Sequence, residues 1–115
     1  MRTIKALKAE NEKLRKEVDG MVGNFYKKER SKIIDQISLN NRCIQIIHLK
    51  VTPAVIIKQL DDYNTTLKLI ESKFDEWKKN TPHQAWGKNP ETTYKNLNNV
   101  ASLKSKINFL NYLLT

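Results

Sequence analysis

The sequence predicts an all-α protein, organised either as a four-helix antiparallel bundle or as a three-helix core with an N-terminal coiled-coil helix. Two observations predict this class. Apolar residues recur at helical spacing along four long segments, and only 3 Gly and 3 Pro interrupt the 115 residues. Because long amphipathic helices joined by short connections are typical of bundles, we expect an N-terminal helix at residues 1–25 and a helical core at residues 26–115.

The first segment carries a heptad repeat, in which the apolar positions are alternately three and four residues apart. The stretch from Leu7 to Val18 resembles a leucine zipper, with a polar Asn11 at an a position but no basic region before it. The resemblance implies an association mode, most simply a homodimer, and does not imply gene regulation. An intramolecular bundle face is the alternative interpretation of the same stripe. The residues expected to support oligomerisation are Ile4, Leu7, Asn11, Leu14, Val18, Met21 and Phe25.

The other segments have recognisable boundaries. Gly20 and Gly23 weaken a helix, so a bend or a helix end between residues 19 and 24 is expected. The sequence Thr52-Pro53 separates the second helix from the third, because Thr can cap a helix and Pro suits its first position. A last helix is expected to begin at Asn89 and the proline that follows it. We expect that helix to run unbroken to the C-terminus, with the apolar stripe Tyr94, Leu97, Val100, Leu103, Ile107, Leu110 and Leu114.

The loop at residues 80–89 is longer than a bundle needs, and it places Trp86 beside a glycine with His83 and Gln84 nearby. An aromatic anchor with hydrogen-bonding neighbours is typical of a surface that binds another protein. We therefore expect His83, Gln84 and Trp86 to form a partner-binding loop. In the alternative, Trp86 folds back towards Trp77 and covers one end of the helices.

The chain is basic, with 21 Lys and Arg against 12 Asp and Glu and a net charge of +9. Such an excess favours polyanionic partners, although a merely soluble surface has the same composition. The clearest cluster follows Phe25 and Tyr26 at the start of the second helix. Binding of DNA or RNA there is the alternative function, and its candidate residues are Lys27, Lys28, Arg30 and Lys32.

Catalysis has little support in the sequence. The only histidines are His48 and His83, and the single cysteine, Cys43, can form no internal disulfide. No metal-binding, nucleotide-binding or nucleophile motif is present. We therefore expect a non-enzymatic protein with no catalytic residues, no cofactor and no metal site.

The predicted role is that of an interaction module, for assembly, for adaptor contacts or for inhibition. The sequence has no apolar run of membrane-spanning length, so we expect a cytoplasmic protein without a membrane partner. Abundant Asn, Lys and Ile indicate an AT-rich genome, such as that of a phage or another mobile element. In that case the compartment is the host cytoplasm.

Overall fold

The computed structural model describes all residues from Met1 to Thr115, and its secondary structure is entirely helical, which confirms the all-α prediction. There are five α-helices, one more than in the predicted four-helix bundle or in the predicted three-helix core with its N-terminal helix. Two short 3-10 turns lie before α2 and after α3. The α-helices are α1 (Ile4–Asp19), α2 (Lys27–His48), α3 (Pro53–Asn80), α4 (Pro90–Leu97) and α5 (Val100–Leu114), and the turns are Asn24–Tyr26 and His83–Ala85.

The chain divides into two compact units, whose boundary lies between Pro53 and Ala54. The N-terminal unit comprises Met1–Pro53 together with Leu113–Thr115, and the C-terminal unit comprises Ala54–Tyr112. The boundary predicted from the sequence lies after residue 25, where the heptad stripe ends.

In the N-terminal unit, α1 and α2 form a helical hairpin. The hydroxyl oxygen of Thr3 caps α1 by accepting a hydrogen bond from the backbone N–H of Ala6 at 3.2 Å. Leu7 and Cys43 are buried in this unit. The backbone N–H of Arg2 donates to the carbonyl oxygen of Leu113 at 2.9 Å, so the last residues of the chain belong to the same unit as the first.

Helix α1 ends at Asp19, just before Gly20 and within residues 19–24, where the sequence predicts a bend or a helix end. The next glycine along, Gly23, has a φ of 90°, a left-handed conformation that residues with a side chain rarely adopt. Met21 and Phe25 therefore lie beyond α1, although they continue its heptad spacing.

In the C-terminal unit, three of the buried apolar side chains lie on α3 and two lie on α5. The Lys106 ammonium of α5 lies 5.9 Å from the centroid of the Tyr63 ring of α3. The buried apolar side chains of this unit are Ile56, Leu60, Phe74, Val100 and Ile107.

The prediction of an unbroken last helix is wrong, because the chain leaves the helical path between α4 and α5. Asn99 adopts a left-handed conformation with φ of 53°. The amide of Asn98 donates a hydrogen bond to the carbonyl oxygen of Tyr94 at 2.9 Å, which satisfies a carbonyl at the end of α4. A left-handed Asn is a common way to end a helix.

None of the five α-helices has by itself both the length and the apolar composition of a membrane-spanning helix. The segments Asn24–His48 and Pro53–Asn80 have them only as a pair, which is bent by 118° at the break between them.

Candidate functional site

An aromatic cluster lies in the C-terminal unit around Phe74, which is the buried member of the group. The Phe74 ring stacks on Tyr94 of α4 with 4.9 Å between ring centroids, and on Trp77 one turn further along α3 at 5.8 Å. Trp77 in turn lies 6.3 Å from Trp86 of the loop. These contacts join α3, the 80–89 loop and α4 into one aromatic surface.

Local hydrogen bonds position Trp86. The 3-10 turn is closed by the backbone N–H of Ala85, which donates to the carbonyl oxygen of Pro82 at 2.9 Å. The indole N–H of Trp86 donates to the carbonyl oxygen of Thr81 at 2.9 Å. Gly87 then reverses the chain with a φ of 74°. Trp86 is half-buried and turned towards Trp77, which corresponds to the folded-back arrangement considered for this loop.

A groove of about 260 Å³ opens on this aromatic surface. We call it the docking groove. Its most exposed apolar member is Leu97, the last residue of α4, which is 77% exposed. Trp77 is also exposed, at 36%. The residues that line the docking groove are Trp77, Trp86, Pro90, Thr93, Tyr94 and Leu97.

The charge beside the docking groove is positive. The Lys78 ammonium lies 5.3 Å from the centroid of the Phe74 ring and 5.6 Å from that of Trp86. Glu91 on α4 is bonded to Lys95 at 2.9 Å, and this hydrogen bond, with the charge of the lysine, holds the pKa of the Glu91 carboxyl below its ordinary value.

The other two residues predicted for the loop have different positions. The His83 ring is exposed and lies 4.6 Å from the Trp86 ring, between ring centroids. It therefore contacts Trp86 but does not line the groove. Gln84 is exposed in the 3-10 turn and does not line the groove either.

The heptad residues of α1 lie in several environments. Asn11 is 2% exposed, and its amide donates to the side-chain oxygen of Asn41 at 3.0 Å. Its own oxygen accepts a hydrogen bond from the buried Asn40 at 2.9 Å. Leu7 is buried and Phe25 is 86% exposed. The half-buried heptad residues are Ile4, Leu14, Val18 and Met21.

The basic cluster at the start of α2 separates into two groups. Arg30 is half-buried and donates a hydrogen bond to the carbonyl oxygen of Met21 at 3.2 Å, so it holds the connection from α1 in place. Lys27, Lys28 and Lys32 are exposed. Phe25 packs edge-on against Tyr26 immediately before them, with 5.1 Å between ring centroids.

The nucleophilic and titratable candidates do not meet in one place. Burial raises the pKa of the Cys43 thiol, although the charges of Arg2 and Arg42 act in the opposite direction. His48 is exposed at the end of α2. No three His, Cys, Asp or Glu side chains come together as a potential metal site.

The wall that α4 contributes to the docking groove was not predicted from the sequence. If the last helix were unbroken, as the sequence predicts, Leu97 would continue the apolar stripe that contains Tyr94 and Val100. The adjacent residues Asn98 and Asn99 were the available signal, because Asn is favoured at helix ends.

Comparison of the chain with protein-family models, with curated proteins and with solved structures finds no match.

Proposed function

We propose that the protein is a non-enzymatic interaction module that binds another protein through the docking groove. The observation that carries the proposal is the exposed apolar surface of Leu97 and Trp77 on an aromatic cluster. Aromatic residues near a pocket are typical of the positions that dominate binding energy at protein interfaces. The single buried cysteine supports a reducing cytoplasm as the compartment.

The size of the docking groove supports a side chain as its occupant. At about 260 Å³ it is smaller than the ~300–1,000 Å³ that is usual for pockets of drug-sized ligands and cofactors. An apolar side chain of a partner could fill it and would cover Leu97 at the same time. Complete burial of a leucine side chain is worth about 1.5–3 kcal/mol, so the exposed Leu97 is a substantial source of binding energy.

Selection from a display library of random short peptides tests this proposal. We expect selected peptides to bind the wild-type protein and to lose at least about tenfold in affinity for Leu97→Glu, because a buried carboxylate without a partner is costly. The matched control is Leu69→Glu, since Leu69 is an exposed leucine of the same unit that does not line the groove. Equal effects of the two substitutions, or a selection without binders, would contradict the proposal.

A second candidate function is binding of DNA or RNA by the start of α2. The observation that favours it is the exposed Phe25 ring two residues before the exposed Lys27 and Lys28, since an aromatic face for a base and cations for phosphates occur together in single-strand binding sites. Arg30 is hydrogen-bonded within the connection, so the exposed lysines carry this candidate.

Fluorescence anisotropy with a labelled oligodeoxythymidylate tests the second candidate. If it is correct, affinity falls steeply between about 50 and 200 mM salt, and Lys28→Glu weakens binding while the matched Lys58→Glu on α3 does not. Binding that depends little on salt, or that both variants weaken equally, would count against a nucleic-acid site at α2.

Self-association through the heptads of residues 4–25 stays a proposal. Its support is the alternating spacing of three and four residues, with Leu14 and Val18 only half-buried within the chain. Asn11, the residue that would set the register of a zipper, already bonds within its own chain. A dimer mass by light scattering at low and high salt supports the proposal, and a monomer mass at both contradicts it.

A further inference from the structure

The residues around the docking groove contain an excess of positive charge. Residues 77–97, which supply its whole lining, include four lysines and a single acidic residue, Glu91. That carboxylate is engaged by Lys95 at 2.9 Å. The segment thus contains three more lysines than acidic residues, with Asp75 and Glu76 preceding it on α3 and Lys78 also acting on Glu91. This local excess favours a partner of negative charge.

Two of these lysines follow the tryptophans that line the groove. Lys78 is half-buried, and its ammonium contacts the Trp86 ring at 5.6 Å from the centroid. Lys88 is exposed two residues after Trp86 and forms no ion pair. Charges at the rim of an interface mainly select partners of opposite charge and speed their association, whereas an apolar centre supplies most of the affinity.

We infer that the occupant of the docking groove is an acidic protein segment that presents one large apolar side chain. The inference rests on the proposed docking function and adds the chemistry of the partner to it. In this arrangement the apolar side chain covers Leu97 and fills the space beside Trp77, while flanking carboxylates lie near Lys78 and Lys88.

Insertion of Phe25 from a second copy fits this groove poorly. Phe25 is the most exposed aromatic residue that another copy could insert. Lys27 and Lys28 follow it after Tyr26, so its insertion would bring like charges against Lys78 and Lys88. Juxtaposed like charges disfavour a complex. Charge complementarity therefore favours an acidic partner over insertion of Phe25.

The amino-acid composition of the selected peptides gives the first test. Peptides from the random library that lose binding to the uncharged variant Leu97→Ser are expected to be enriched in Asp and Glu beside one large apolar residue. Groove-dependent peptides without such enrichment would overturn the acidic partner and leave the docking function standing. Peptides that bind Leu97→Glu and the wild type equally would overturn both.

A charge-neutralised variant gives the second test. We expect the double variant Lys78→Gln, Lys88→Gln to bind a groove-dependent acidic peptide about threefold to tenfold more weakly, since each exposed ion pair contributes modestly. Glutamine retains part of the lysine stem against the rings. The matched control is Lys58→Gln, Lys68→Gln on exposed positions of α3, which should leave affinity unchanged. Equal effects of the two double variants would overturn the inference.

Two measurements on the same variants distinguish an acidic protein segment from the other two possible occupants, which are a second copy of the chain and nucleic acid. Light scattering that shows concentration-dependent association of the wild type, abolished in Leu97→Glu, would identify a second copy as the occupant and overturn the inference. Binding of a labelled oligodeoxythymidylate that Leu97→Glu abolishes would identify nucleic acid and overturn it as well. Circular dichroism should show unchanged helix content for Leu97→Glu, because the substituted side chain is exposed.

Discussion

Asn11 and Asn40 are buried amides that one hydrogen bond joins across the two helices of the N-terminal unit. The oxygen of Asn11 accepts from Asn40 at 2.9 Å, and the oxygen of Asn40 accepts from Gln36 at 3.2 Å. A buried amide is costly without partners, so the network selects the alignment of α1 and α2 in which these groups meet. The polar residue that resembles the register-setting Asn of a zipper thus has partners in its own chain.

We expect Asn11→Val to lower the free energy of unfolding by about 1–3 kcal/mol, because it removes the acceptor of the Asn40 amide in a buried site. Urea unfolding measures this change, and Asn64→Val on the exposed face of α3 is the matched control. A parallel zipper predicts the opposite sign, since a β-branched residue at an a position stabilises the dimer. A more stable variant of higher mass would therefore contradict the intramolecular role.

The buried thiol of Cys43 gives a prediction about pH. Its pKa is raised by burial, so the folded state favours the protonated thiol. The stabilisation is fully present below the ordinary thiol pKa of about 8.5 and is lost as pH rises through the raised value. We expect the difference in urea midpoint between the wild type and Cys43→Ala to shrink above that pH. A difference that grows with pH would contradict the burial of the thiol.

At the scale of elements, the break between α4 and α5 has the largest consequence for function. It ends α4 at Leu97, which leaves this side chain exposed at the docking groove. Asn99 supplies the left-handed residue that the break requires. A helix continuing through these positions would place Leu97 on the stripe that contains Val100.

Two substitutions of Asn99 test this break. Because a left-handed conformation costs a residue with a Cβ roughly 1–2 kcal/mol, we expect Asn99→Gly to be as stable as the wild type or more so. Asn99→Ala should be less stable than Asn99→Gly by about 1 kcal/mol in thermal or urea unfolding. If the helix ran through residue 99, Asn99→Ala would instead be more stable than Asn99→Gly by a similar amount, because Ala has the higher helix propensity.

Helix periodicity predicts the elements well and their ends less well. The 3-10 turn, the folded-back Trp86 and the break at Asn99 all depend on hydrogen bonds or on a single left-handed residue, which apolar spacing does not encode. The spacing of Tyr94, Leu97 and Val100 stays helical across the break. Trp86 was singled out by composition, but the contribution of α4 to the groove required the break to be known.

At the scale of the whole molecule, the excess of positive charge is spread over both units. The exposed lysines at the start of α2 belong to the N-terminal unit, and Lys78 and Lys88 belong to the C-terminal unit. Charge of one sign supports solubility and also repels itself in the compact state. The two proposals assign these basic regions different partners: phosphates for the start of α2 and carboxylates for the docking groove.

The net charge of +9 also gives a prediction about salt. Because screening shortens the Debye length from about 30 Å at 0.01 M to about 8 Å at 0.15 M salt, we expect the midpoint of thermal unfolding to rise over this range. Differential scanning fluorimetry at constant pH measures it. A midpoint that falls with added salt would mean that favourable ion pairs outweigh the repulsion.

The most direct test of the docking function is a nitrogen-15 NMR titration of the wild-type protein with the tightest groove-dependent peptide. The two tryptophans give two indole N–H signals, and both residues line the docking groove. We expect both indole signals and the backbone amides of residues 91–97 to shift on binding, while the amides of residues 27–32 stay in place. Shifts confined to residues 27–32, with both indole signals unmoved, would contradict the account and favour the basic start of α2 as the binding surface.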